Sequence, residues 1–564
     1  MNIPVRVLAL FALAVTTRFA PSVRAEDHQR EAPRLVVIVV IDQLRADYLT
    51  RFEPWFGDDG FRRLFREGAH FANAHFTSSA SATAPGHATI ATGANPRVHG
   101  IVGNKWFMNT GTTQSQYAVY DDTCAGVPSS ERGGSNRSPR RLRAPTLGDQ
   151  MKLADRRTRV VSIALKDRAA IFLGGQLADT ALWWDFGAGR WVSSSFYGDT
   201  LPAYVTALND EDPTKRFAGY VWRPLTPESA REGAYPLESA WHPIIEQLGL
   251  QFPHALPERK EASLAAFHDA MSATPAGIEV TLDLVERAIA AEQLGQDDVP
   301  DLLCVGFSSN DLVGHFFGPQ SAEVMDMTVQ TDRQIARLLA MLDKQVGPDR
   351  YLLALAADHG VAATPEVTRR LSLPGGLYDP RQLGVDLNGR LQAQFFDKPG
   401  EENPKRLIVV GVEVPWIYFN ASLVDTLPTE RRQAFFESAV DFLRAKEFIT
   451  DAFGPDTLSG GAPPETDMGR LLAWNSWNPE NAGQICLQIR PGWKKRDANL
   501  AGHNGGSAPE RHVPILLRGK NVAPGRYYGA ASPCDIVVTL SALLGIEPPS
   551  CAQGRVLSEA IPPR

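Results

Sequence analysis

Leu35-Val-Val-Ile-Val-Val-Ile41 runs without interruption into Asp42, and Pro33 stands just before it. A continuous Val/Ile run of this length reads as a strand buried on both faces, because a half-exposed strand would alternate apolar with polar positions. Similar runs recur at Val160 to Leu165, Leu302 to Phe307, Tyr351 to Ala356 and Val513 to Leu517. Helical patterns such as Met325 to Leu342 lie between some of them. That alternation predicts an α/β fold with a mainly parallel, helix-covered sheet. Ligands of such sheets bind beyond the carboxyl ends of the strands. Here the runs end in Asp42, in Lys166, in Ser308 leading to Asp311, and in Asp358-His359.

The 564 residues carry 57 Lys+Arg against 64 Asp+Glu, a net charge of −7, so no general attraction for polyanions and no nucleic-acid-binding surface is expected. With 43% hydrophobic and 21% charged residues the chain is a folded globular protein, neither disordered nor multispanning. At the N-terminus, Arg6, the apolar stretch Val7 to Val15 and Val23-Arg24-Ala25 read as a secretory signal peptide over residues 1–25. The expectation is export to a periplasmic or extracellular location, with no membrane span after cleavage. Five cysteines, at 124, 304, 486, 534 and 551, are too few for a disulfide scaffold, although an oxidising compartment would permit Cys534 and Cys551 to pair. No CxxC occurs, which removes thiolate zinc clusters.

Residues 26–564 read as a single domain with insertions near 123–143, 210–256 and 364–484. These stretches lack the buried-strand pattern. The Trp and Tyr of the two longer insertions (Trp222, Tyr235, Trp241, Trp416, Tyr418, Trp474, Trp477) predict packed subdomains or lids.

Asp311-Leu-Val-Gly-His315 places a carboxylate and an imidazole four apart, on one face of a helix; the pair can share a cation or serve as an exposed capping pair. Asp358-His359-Gly360 ends a buried run where the glycine permits a turn, so both side chains can face one crevice or simply meet solvent. Asp42 is a third strand-end carboxylate, a ligand or an N-cap. Ser81-Ala-Thr83-Ala-Pro85-Gly86-His87-Ala88 describes a helix start, where free amides and the dipole favour an anion. Thr83 there is either a plain cap or a nucleophile. Lys166-Asp167-Arg168, taken alone, is a solvated charged turn.

Taken together, Asp42, Thr83 within TAPGH, Asn104 within HGIVGN, Lys166 and Arg168 within LKDR, Asp311 and His315 within SSNDLVGH, Asp358-His359-Gly360, and His512 within ERHVP resemble, in order, the alkaline phosphatase superfamily. The chain looks most like its type I phosphodiesterase/nucleotide pyrophosphatase branch, and within that the phosphate-irrepressible alkaline phosphatases with a Thr nucleophile. The resemblance implies a three-layer α/β/α sandwich with a largely parallel central sheet. It also implies two zinc ions, one on Asp311, His315 and His512, the other on Asp42, Asp358 and His359 with the Thr83 oxygen. Nitrogen and carboxylate oxygen suit zinc, and paired cations suit in-line displacement at phosphorus.

By the same resemblance Thr83 is the nucleophile that becomes phosphothreonine, and Asn104, Lys166 and Arg168 bind the phosphoryl oxygens. Two cations beside the phosphoryl group favour small-molecule phosphate monoesters over diesters. Phosphodiesterase or nucleotide pyrophosphatase activity on the same fold is the alternative, and a non-catalytic secreted metal-binding protein the remote one. His503 competes with His512 for the last ligand position. The expectation falls on His512, which immediately precedes Val513 to Leu517 as the family's final ligand does, while Ala501 to Gly506 reads as a glycine loop. His87 and His99 are expected to be structural.

Overall fold

The computed structural model describes residues 33–108, 112–128, 136–235, 242–260, 264–398, 400, 402 and 404–562. The signal-peptide reading over 1–25, residues 129–135 of the first expected insertion, and Trp241 lie outside the described residues.

Ten strands form one sheet. In chain order they are β1 (Leu35–Ile41), β2 (Ala69–His75), β3 (Gly126–Val127), β4 (Val160–Ala164), β5 (Thr180–Asp185), β6 (Arg190–Ser194), β7 (Asp301–Phe307), β8 (Tyr351–Ala356), β9 (His512–Arg518) and β10 (Gly525–Tyr527). Their spatial order is β10-β2-β9-β8-β1-β7-β4-β5-β6-β3. The middle of the sheet, β8-β1-β7-β4-β5, is parallel throughout. β9 runs antiparallel to both β8 and β2, so the run at Val513 to Leu517 returns against the parallel block.

β1 lies between β7 and β8, with Leu35 beside Asp301 and Tyr351, and every one of its residues is buried. Burying each such aliphatic side chain is worth about 1.5–3 kcal/mol, and this is what fixes the strand at the sheet centre. Five helices position the site or cover the sheet: α1 (Thr83–Thr92), α2 (Asp167–Gly174), α3 (Pro275–Ala291), α4 (Ser309–Phe317) and α5 (Ala322–Gln345). With its helices the sheet makes a three-layer α/β/α sandwich, and no helix among the described residues is long and apolar enough to cross a membrane. All five cysteines are free thiols, Cys534 and Cys551 included.

A second, four-stranded sheet, ordered 409–413, 416–419, 485–489, 449–453, has its own apolar core. Helices Pro380–Phe395 and Thr429–Arg444 supply Leu387, Leu391, Phe395, Phe435 and Leu443 to that core, where Phe419 and Phe435 meet edge to face. Its third strand, Ile485–Ile489, falls just past the boundary at 484 expected from sequence. Farther back, Trp222 sits on a short ladder, Val221–Trp222 against His254–Ala255, and its indole donates to Asp326 at 2.8 Å.

Candidate active site

The carboxyl ends of β1, β4, β7 and β8 converge with the start of α1. Asp42 follows β1, Lys166 follows β4 and opens α2, Asp311 lies in the first turn of α4 after β7, and Asp358-His359 follow β8. Asp42, Lys166, Asp311, Asp358 and His359 are all buried. So many ionisable groups withdrawn from water are tolerable only if they compensate one another or hold a cation.

Thr83 is the first residue of α1, one place inside the helix. The N-cap is Ala82, whose side chain caps nothing. The Thr83 hydroxyl is therefore not spent on its own helix end. Instead its Oγ1 accepts from Arg168 Nη2 at 3.3 Å and lies 3.5 Å from Lys166 Nζ. Asn104 reaches the same helix start, where the Ala84 amide donates to its Oδ1 at 2.9 Å. Gly86 is dictated by packing: a Cβ there would lie 2.1 Å from the Asp358 carbonyl oxygen.

Three imidazoles show one arrangement. His315 Nδ1 donates to the Ala501 carbonyl at 2.8 Å, His503 Nδ1 to Ser81 at 2.6 Å, and His359 Nδ1 to Gly360 at 3.0 Å. A carbonyl can only accept, so the proton sits on each Nδ1 and the lone pair on Nε2. The Nε2 atoms of His315 and His503 lie 3.3 Å apart, with Asp311 Oδ1 at 3.3 Å from the first and 3.7 Å from the second. His359 Nε2 lies 3.4 Å from Asp358 Oδ2 and 3.5 Å from Asp42 Oδ1.

Those last three atoms are buried without hydrogen-bond partners. Buried acceptors that face one another without hydrogen-bond partners fit a cation, and nitrogen-plus-carboxylate sets are those divalent zinc-like ions take. Two groups of ligand atoms close enough to hold an ion result, Asp311-His315-His503 and Asp42-Asp311-His359. Burial pushes His359 down to about 4 and His503 well below the ordinary histidine value, which keeps both neutral as ligands must be.

The carboxylates are driven apart. Burial, with Asp358 beside it, raises Asp42 to about 7. Burial acts on Asp311 in the same sense, but His315 and Lys166 outweigh it and hold that carboxyl well below the usual range. Lys166 Nζ bridges Asp42 Oδ2 and Asp311 Oδ2, each at 2.5 Å.

The expectation for His512 is corrected. Its residue pairs with His75 across the β9-β2 ladder, its ring stacks on that of His75 at 4.4 Å, and Nε2 donates to the Ala72 carbonyl at 2.9 Å. These contacts commit its ring to β2, while the glycine loop carries His503 into the cluster, stacked on His359 at 3.8 Å. Of the two histidines expected to be structural, His99 bonds Thr89 Oγ1 and the Ile101 amide. His87 donates to the Thr83 carbonyl, with Asp358 Oδ2 3.4 Å away.

Two further residues had no signal in sequence. Gln43, at φ 64°, donates from its backbone to Asp358 Oδ1 at 3.0 Å and from Nε2 to Asp311 Oδ1 at 2.6 Å, tying the two ligand groups together. Tyr117 donates to Asp167 Oδ1 at 2.6 Å, and its oxygen lies 3.4 Å from Arg168 Nη1. Arg137 holds the other Asp167 oxygen at 2.7 Å, so this network braces the guanidinium beside Thr83.

Known proteins are similar to this chain over nearly its whole length. Over 94% of this chain and 95% of its own length, a protein of Myroides odoratus named Calcium-transporting ATPase is 31% identical. Alkaline phosphatase PafA of Elizabethkingia meningoseptica is 30% identical over 94% of each chain, and alkaline phosphatase PhoV of Synechococcus elongatus 29% identical over 98% of this chain and all of its own. The crystal structure of wild-type PafA superposes with a TM-score of 0.83 at 29% identity, covering 94% of this chain and 99% of that one. The sequence pattern of the family described as type I phosphodiesterase / nucleotide pyrophosphatase matches residues 36–373, which hold every cluster residue named above except His503. With the pattern spanning more than half of its length, the chain belongs to the type I phosphodiesterase/nucleotide pyrophosphatase family.

Proposed function

We propose that this chain is an alkaline phosphatase that hydrolyses small-molecule phosphate monoesters through a phosphothreonine formed on Thr83, with two zinc ions in the cluster. The carrying observation is the Thr83 hydroxyl, uncapped at the start of a buried helix and met by Lys166 and Arg168 together. Full-length alkaline phosphatase relatives support the same activity.

Asp311, His315 and His503 would hold one ion, and Asp42, Asp358 and His359 the other. Such ions supply Lewis acidity toward the attacking and leaving oxygens of an in-line displacement. Thr83 Oγ1 gives its proton to water and attacks phosphorus; the ester P–O bond breaks, and the departing alkoxide takes a proton back from water to leave as the alcohol. A water molecule then cleaves the phosphothreonine, releasing phosphate and restoring the hydroxyl. The free amides at the start of α1, the Asn104 side chain, Lys166 and Arg168 meet the phosphoryl charge. Arg168 can bind two oxygens at once. Two cations against one phosphoryl group favour the monoester dianion over a diester. The apolar stretch Val7 to Val15 supports export to a periplasmic or extracellular compartment.

The test pairs an aryl phosphate monoester with the matching diester, assayed before and after chelation and zinc restoration, on wild type and Thr83→Ala. Zinc-restored monoester preference, lost in Thr83→Ala with zinc content retained, is expected. Diester preference would transfer the function to phosphodiesterase, and activity persisting in Thr83→Ala would remove Thr83 as nucleophile.

A further inference from the structure

A groove of 1410 Å³ runs between the hairpin that follows Asn104 and the second, four-stranded sheet. Lys105 and Phe107 form one wall, Arg381 and Val385 another, and Lys405, Val409 and Val412 line it as well; Lys495 and Arg496 close the far side. Its four acidic side chains are already engaged. Glu413 pairs with Lys105 at 3.4 Å, Asp497 with Lys494 at 3.0 Å and Lys495 at 3.4 Å, Asp379 caps its helix, and Asp397 accepts from Gln392. Arg381, Lys405 and Arg496 are exposed and, among the described residues, have no carboxylate partner. Six basic side chains line the groove (Lys105, Arg381, Lys405, Arg406, Lys495 and Arg496) against those four acidic ones, so it is cationic on a chain whose net charge is −7.

Two connections tie it to the site. Lys105 directly follows Asn104, whose side chain holds the Ala84 amide beside Thr83, so the groove wall begins one residue, about 3.8 Å of chain, from a phosphate-binding position. On the other side, Lys495 lines both this groove and the small cavity shared by Lys494, Gly502 and His503.

We propose that this groove receives the alcohol part of the substrate and selects monoesters whose alcohol carries further anionic groups, a second phosphate above all. The proposal rests on the phosphatase reading above. Phe107, Val409 and Val412 offer apolar contact to the carbon skeleton, while the unpaired cations meet the distal charge.

The test compares kcat/KM for fructose 1,6-bisphosphate with that for fructose 6-phosphate in the zinc-restored full chain, for wild type and Arg381→Glu/Arg496→Glu, at low and high NaCl. The expected result is a wild-type preference for the bisphosphate that fades with salt, and a ratio about tenfold lower in the variant. The pair Lys405→Glu/Arg496→Glu repeats the measurement should the first variant fold poorly. A ratio unmoved by either variant, or no wild-type preference for the bisphosphate, overturns the groove while leaving the phosphatase intact. Failure of the zinc-loaded wild type on fructose 6-phosphate and on an aryl phosphate alike overturns the phosphatase reading itself.

Discussion

Gly86→Ala is expected to disable the enzyme while leaving it folded. An added Cβ at this position would lie 2.1 Å from the Asp358 carbonyl oxygen, 2.7 Å from its carbonyl carbon and 2.8 Å from its Cβ. That is about 1 Å inside the closest approach such atoms tolerate, and the obstruction is mostly backbone, which cannot rotate away. Either α1 retreats or the Asp358 turn does, and the first carries Thr83 while the second carries Asp358 and His359. A displacement of about 1 Å between reacting groups costs on the order of 100-fold in rate. Stability should fall by at most about 2 kcal/mol, because overpacking of about 1–3 kcal/mol is partly offset by the roughly 1 kcal/mol by which Ala outscores Gly inside a helix. The assay is kcat/KM on an aryl phosphate beside thermal unfolding of the same preparation. A folded variant with kcat/KM within about threefold of wild type would refute the idea that α1 and the Asp358 turn are held in mutual register at Gly86.

Three further outcomes are expected. His503→Ala should weaken zinc retention at least about tenfold in a chelator competition, whereas His512→Ala should leave it unchanged; the reverse pattern would restore the sequence-based choice. Gln43→Ala should lower zinc affinity about tenfold, because it removes the side-chain donor that orients Asp311 while the backbone bond to Asp358 stays; equal affinity would reduce Gln43 to a turn residue. Tyr117→Phe should raise KM for the monoester and reduce its preference over the diester about fivefold, since Arg168 loses an acceptor at 3.4 Å; an unchanged ratio would mean that Asp167 and Arg137 alone brace the guanidinium.

The sheet was readable because its central strands are buried on both faces and therefore carry unbroken aliphatic runs, as at Leu35–Ile41 and Tyr351–Ala356. Flanking strands escaped that test. Ala69–His75 mixes His and Asn with alanine because part of it is exposed, and Thr180–Asp185 carries two tryptophans in place of Val and Ile. In the site, Asp42, Asp311 and Asp358-His359 were legible because strand ends of a parallel sheet gather at one edge. His503 was not, since a glycine loop leaves no periodicity from which a side chain's direction can be inferred. His512 drew the prediction through its place beside a buried run, yet that same strand commits its ring to His75. Gln43 depends on a left-handed backbone that no local pattern announces in a glutamine.

The tethering of the three imidazoles through Nδ1 to main-chain oxygens has an evolutionary corollary. Every residue supplies a carbonyl, so the acceptors at positions 81, 360 and 501 cannot be erased by exchanging a side chain. A site oriented instead by carboxylates would expose each orienting group to loss by a single codon change. Exchange of Ser81 or Ala501 for another small residue is therefore predicted to spare the tautomers as long as their loops keep their path; both side chains are buried, so larger replacements would overpack. Gly360 is the exception, because a Cβ there would lie 2.3 Å from the Pro509 carbonyl oxygen. The tautomers on which the cluster depends are thus inherited through the course of the backbone, which leaves neighbouring side chains free to diversify with the substrate.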